Sequence, residues 1–234
     1  MSIILKITGI IMLGALGALL FNIFALPVLL VSPYFADSQF VKNFKEGKVL
    51  VTQKDYIYIQ ENTALEEAIE RVKNSVVVIS GNSVASGFIA SSDGNVITLA
   101  NVIPTNGKLS VFLNGESVNV TVTKTDYKNN LALLKIEKNG LQTTGFADFN
   151  KIKLGQKVFL AVPTSIKGDN WLANEGIIRE MSPDSMQTTM VEKPIANGSP
   201  LFNVAGQLIG LNAVDKDGKI SAIPISKVQE LLGL

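Results

Sequence analysis

From Val76 onward the chain is written in short β-rich runs separated by turn residues, and no other feature limits its fold as strongly. The pattern predicts strands over 76–80, 86–91, 95–99, 108–113, 117–125, 132–136, 157–162, 174–181, 201–203, 207–212 and 220–223. Asp93-Gly94, Asn114-Gly115, Asn139-Gly140, Ala205-Gly206 and Asp217-Gly218 supply turns at hairpin spacing. So many short strands in about 160 residues require an all-β sandwich or a pair of barrels. Ahead of them, Thr63 with Glu66 forms a capping box, and Leu65, Ala68, Ile69 and Val72 recur at helical spacing to a stop near Asn74. A last helix is predicted over 226–232 with Ser226 as its cap.

The apolar residues are concentrated at the other end. Between Ile7 and Val31 there is no charged side chain, and about 20 apolar residues cross a hydrocarbon core. This predicts one N-terminal transmembrane helix within residues 1–31, acting as an uncleaved anchor; a cleaved signal peptide is the alternative. Residues 32–62 read as a juxtamembrane linker or arm, with short strands at Lys48–Thr52 and Tyr56–Ile59. The β domain occupies 63–234.

Composition limits the chemistry. The chain contains no Cys and no His, so disulfides, thiol nucleophiles, imidazole bases and His-ligated metals are excluded, and no cofactor or metal is expected. A net charge of +1 without a basic run gives no footprint for nucleic acid.

The order of the strands and the residues at their junctions resemble the trypsin-like serine proteases of the HtrA/Deg type. Ala85-Ser86-Gly87-Phe88 leading through Asp93-Gly94 to a strand ending in Thr98 is similar to that family's opening hairpin. Asn130-Leu131-Ala132-Leu133-Leu134-Lys135-Ile136 resembles its D-L-A-hydrophobic-L-K strand. Leu154-Gly155, Gly176-Ile177-Ile178, Pro200-Leu201-Phe202-Asn203, Gly206, Ile209-Gly210-Leu211-Asn212 and Ala222-Ile223-Pro224 follow in the family's order. The resemblance implies a double six-stranded β-barrel with a cleft between the barrels. The C-terminal peptide-binding module that often follows in the family is expected to be absent.

The departures are chemical. By the same resemblance, the base, the orienting acid and the nucleophile fall on Asn101, Asn130 and Asn197. A carboxamide is neither a base nor an effective nucleophile near neutral pH, and all three roles are lost together. Ile195 replaces a Gly beside the oxyanion donors. The three Asn side chains are expected to meet as a neutral network in the cleft. A shifted alignment offers Ser199 as nucleophile with Lys193 as base.

These residues imply a membrane-anchored pseudoprotease that binds peptides or partner proteins. The alternatives are an active endopeptidase using Ser199 and Lys193, and a purely structural membrane-tethered β-domain. Extended peptides, or unfolded exported proteins, are expected to pair with the edge at Leu211, Asn212 and Ala213. An uncharged pocket beside Asn197 and Val191 is expected to prefer apolar or small side chains. The resemblance implies a single-pass protein of the cell membrane with its domain on the extracytoplasmic side.

Overall fold

The computed structural model describes residues 3–25, 27–28 and 53–234. They belong to two compact units, Met1–Tyr58 and Ile59–Leu234. In the first, α1 (Ile3–Leu20) runs into a π-helical turn at Phe21–Ala25. The stretch Ile7–Ala25 is long and apolar enough, by length and composition, to cross a membrane. At about 1.5 Å per residue it spans roughly 28 Å, close to the thickness of a hydrocarbon core. Its large apolar side chains, Ile10, Met12, Leu13 and Phe24 among them, are exposed. The strand expected over Lys48–Thr52 lies outside the described residues.

The second unit contains the β domain. The chain is already helical at Gln53, and α2 (Gln53–Lys73) carries Tyr56–Ile59 within a helix rather than a strand or arm. Thr63 is therefore interior to the helix rather than at its N-terminus. The Gln, Glu, Ala, Leu and Lys residues around this segment favour helix, and the aromatic and β-branched residues at 56–59 oppose it by only a few tenths of a kcal/mol each. The expected stripe is present: Ala68 and Val72 are buried, with Leu65 and Ile69 half-buried beside them. The helix stops at Lys73, where Ser75 donates through both N–H and Oγ to the Val72 carbonyl at 2.9 and 2.6 Å.

Seven antiparallel strands follow: β1 (Val76–Ser80), β2 (Val84–Ile89), β3 (Asn95–Leu99), β4 (Ser110–Leu113), β5 (Glu116–Val118), β6 (Val120–Asp126) and β7 (Leu131–Ile136). Their order in the sheet is β5-β4-β1-β2-β3-β7-β6. Only Asn119 separates β5 from β6, so the two ends of this sheet are halves of one bent run. That run pairs with β4 through Val118↔Val111 and with β7 through Val120↔Ile136, which wraps six runs into a ring. The run expected over 117–125 is this strand with its bend. At the β2–β3 hairpin, Lys135 Nζ reaches both the carbonyl and the carboxylate of Asp93 at 2.6 Å, and Ser91 Oγ donates to the same carboxylate. The hydrogen bond from Lys135, reinforced by that of Ser91, holds the Asp93 carboxyl at about 2.

The second barrel is closed in the order β10-β13-β12-β11-β8-β9. Its strands are β8 (Lys157–Pro163), β9 (Trp171–Met181), β10 (Met186–Val191), β11 (Pro200–Asn203), β12 (Leu208–Val214) and β13 (Lys219–Pro224). The sequence pattern does not predict β10, although its side chains alternate strictly between buried and solvent-facing. The chain ends in α3 (Ile225–Leu232), whose cap position is Pro224 without a side-chain bond; Ser226 lies inside the helix. Burial of Ile225, Val228 and Leu231 holds this helix in place. Across the barrel junction, Phe88 of β2 meets Phe202 of β11 edge-on at 6.3 Å, and Phe202 stacks obliquely on Phe159 at 5.4 Å.

Candidate functional site

The two loops that carry the candidate residues face each other where β2 and β3 meet the β10–β11 connection. In the first barrel, Asn101 sits on the single 3₁₀ turn Ala100–Val102 that follows β3. Asn130 opens β7 from a left-handed conformation, φ 53°, which Asn tolerates better than most residues. In that conformation both its oxygens face the turn. The Asn130 carbonyl accepts from Ala100 N–H, and Asn130 Oδ1 accepts from Asn101 N–H, each at 3.0 Å. On the other side, Asn82 Nδ2 donates to the carbonyls of Asn101 and Ile103 at 3.1 Å, and Asn82 N–H donates to Val102 at 2.9 Å. The Asn101 carboxamide is exposed and makes no hydrogen bond among the described residues.

The loop of the second barrel is organised by its own main chain. Pro194–Ala196 forms a 3₁₀ turn. Within it Ala196 N–H donates to Lys193 O at 3.0 Å, Asn197 N–H to Pro194 O at 2.9 Å, and Ser199 N–H to Ala196 O at 3.1 Å. Gly198 N–H leaves the loop for Asn212 O at 2.8 Å. The carbonyls of Ile195 and Asn197 face the first barrel, where Ser86 donates to them through Oγ and N–H, each at 2.8 Å. Gly198, at φ +73°, packs directly against the first barrel. A Cβ there would lie 2.4 Å from Ser86 O and 2.5 Å from Thr98 Oγ1.

An oxyanion hole needs main-chain N–H groups that converge on one empty point. Here the amide of Asn197, at the expected nucleophile position, points back into its own turn. The Asn197 side chain also has a partner: its Oδ1 accepts from Val214 N–H at 2.8 Å. Among the described residues no hydrogen bond joins Asn197 to Asn101 or Asn130, so the expected three-membered network divides into a pair and a separate residue. Ser199 is completely buried, with its Oγ accepting from Asn212 Nδ2 at 2.9 Å, while Lys193 is exposed. A Ser199–Lys193 dyad is not assembled.

The expected peptide-binding edge is corrected by the register. Leu211 and Asn212 are fully buried, and β12 is paired on both sides along this stretch. Asn212 uses its N–H and C=O on Ser199 and Gly198, and the alternation of a strand turns the Ala213 main chain the other way, toward Ser221 of β13. Asp215 N–H, two residues further, bonds Lys219 O on that same side at 3.0 Å. The amide that faces outward past the end of β11 is that of Val214, and it is the one Asn197 holds. Val191 is 59% exposed. It borders a groove of ≈ 380 Å³ lined also by Arg179, Asp215 and Lys219, and Asn197 is not among the residues of that groove. Asn82 and Val214 are not singled out by the sequence, and Thr98 enters it only as the end of its strand. The only pointer to Ser86 was its place in the opening Ala85-Ser86-Gly87 hairpin.

The fold agrees with comparison to known proteins. Residues 85–211, more than half of the chain, match the trypsin-like peptidase domain. A DegP-like periplasmic serine endoprotease of Marinomonas is 36% identical over 141 residues, covering 56% of this chain and 30% of the relative. Similar proteins of Halomonas elongata and Pseudomonas putida are 32% and 33% identical over 140 residues, again 56% of this chain and 29% of theirs. The chain thus aligns with less than a third of the length of these relatives. With its paired barrels, the junction loop at 193–199 and this match, the chain belongs to the trypsin-like peptidase family and is similar to its DegP-like members.

Proposed function

We propose that this chain is a membrane-tethered, non-hydrolysing member of its family, a pseudoprotease that holds peptides or partner proteins on the extracytoplasmic side of the cell membrane. One observation carries the loss of hydrolysis: at the nucleophile position the side chain is a carboxamide bonded to Val214 N–H, and the amide beneath it is bonded to Pro194 O. Neither an attacking atom nor a converging oxyanion donor is left, and the sequence contains no imidazole to serve as base. Ser199 does not replace the nucleophile, because its hydroxyl is buried against Asn212 while Lys193 points into solvent. The apolar stretch Ile7–Ala25 supports the tether, and the description of the relatives as periplasmic supports the side of the membrane.

The full-length protein in detergent is expected to resist labelling by a fluorophosphonate serine probe and to leave unfolded casein intact over a buffer control. Labelling that disappears in Ser199→Ala would establish the endopeptidase alternative instead. For topology, protease added to spheroplasts should digest the barrels and leave the N-terminus in the membrane. Release of the full-length chain by carbonate, or a mature N-terminus near Asp37, would contradict the anchor.

A further inference from the structure

We infer that Asn197 is a latch over the main-chain position through which the second barrel accepts an extended peptide segment, a conclusion that rests on the peptide-holding function proposed above. Outward-facing main-chain groups on β12 recur every second residue. At Asn212 they are consumed by Ser199 and Gly198 of the same barrel, and the next in register is Val214, beyond the end of β11. The chain then turns at 215–218, where Asp215 Oδ1 accepts from Asp217 N–H at 2.8 Å and Lys219 N–H at 2.9 Å. Val214 is therefore the single ladder position open to an incoming strand.

The group that occupies it imitates such a strand. A carboxamide is the side-chain copy of a peptide unit, and Asn197 Oδ1 takes the Val214 N–H at 2.8 Å as a neighbouring backbone carbonyl would. The rest of Asn197 is fixed independently, its N–H on Pro194 O and its carbonyl on Ser86 N–H. Rotation about the Asn197 side-chain torsions releases the Val214 amide while the loop and the barrel junction stay in place. The occupant is an extended segment of a partner, whose carbonyl takes the vacated N–H in antiparallel fashion. Each binding event must first break the Asn197 bond, so the latch lowers affinity by about the worth of one hydrogen bond.

The test uses the full-length chain in detergent. Hydrogen–deuterium exchange at the Val214 amide is read against Asn212 as an internal reference. Binding of a capped, fluorescent eight-residue Val/Ala/Ser peptide is followed by anisotropy. Asn197→Ala should speed exchange at Val214 and leave Asn212 unchanged, and it should tighten peptide binding roughly 3- to 10-fold. Asn197→Asp, which keeps an acceptor at the same reach, should match the wild type in both measurements. Asn197→Ser shortens the side chain and repeats the experiment should the Ala variant fold poorly. Val214→Pro removes the amide and should abolish binding in either background. Equal affinity in wild type and Asn197→Ala, with loss in Val214→Pro, overturns the latch and leaves peptide capture standing. Absence of peptide binding in every variant overturns both.

Discussion

The two loops at the barrel junction both carry Asn at the positions of interest and stand in opposite conditions. The first-barrel loop is held in place by the side chains of Asn82, which donates to the Asn101 carbonyl, and Asn130, which accepts from the Asn101 N–H, and the Asn101 side chain is left exposed. The second-barrel loop is closed on itself, with the Asn197 amide turned inward, its carboxamide on Val214 and Ser199 sealed in the core. The difference follows from which expected groups are side chain and which are backbone. An imidazole and its carboxylate are side chains that a backbone scaffold survives without. An oxyanion hole is itself backbone, and N–H groups left without an anion to bind find carbonyls nearby.

The largest effect should come from the contact that locks the second loop. Gly198→Ala places a methyl group 2.4 Å from Ser86 O and demands a positive φ from a residue that resists it, so chemical denaturation should register a loss of about 3 kcal/mol. In the first loop, Asn130→Ala gives up the acceptor for Asn101 N–H and a residue suited to φ 53°, at a cost of about 1–2 kcal/mol. Asn130→Asp keeps the acceptor and should lose much less in the same measurement.

A smaller effect distinguishes acid from neutral conditions. A chain without His has no side-chain imidazole to titrate between pH 5 and 8, and its melting temperature should be level across that range. Asp93 titrates at about 2 in the folded protein against 3.8 unfolded. Its contribution is thus complete above pH 3.8 and is lost as the pH falls through about 2. Asp93→Asn should flatten that part of the acid limb in a pH-dependent thermal melt. The smallest expected effect is none at all: Asn101→His, Asn130→Asp and Asn197→Ser together should leave casein cleavage at background. The residue 197 amide still bonds Pro194 O, and a gain appears only if Ile195→Gly also re-aims the loop.

Much of the fold was legible because strand period, turn dipeptides and their order are local properties of the sequence. The misses share one cause. Gln53–Thr63 is helical because a long favourable run outweighs four β-prone residues, and β10 hides its period of two behind Met and Gln. At the site, the places of Asn101, Asn130 and Asn197 could be read from the motifs, but the direction in which each amide points could not. Along β12, alternation guarantees that neighbours face opposite ways. Which of Ala213 and Val214 faces outward is decided only by Ser199 and Gly198 pairing with Asn212 across the barrel. The charged groove at Val191 is likewise built from Arg179, Asp215 and Lys219, which are distant or differently placed in sequence.

The bend at Asn119 has a consequence for the chain as it is made. Because one run closes the first barrel at both ends, Glu116–Val118 already has β4 to pair with when it emerges, yet Val120–Asp126 has no partner until Leu131–Ile136 arrives. During vectorial emergence the early sheet therefore carries an unpaired ladder for the time needed to deliver those residues, a window for pairing with another copy. Arrest of synthesis at a length that keeps Leu131 inside the ribosome with residues 116–126 already outside should trap that open form, and emergence of Ile136 should end it.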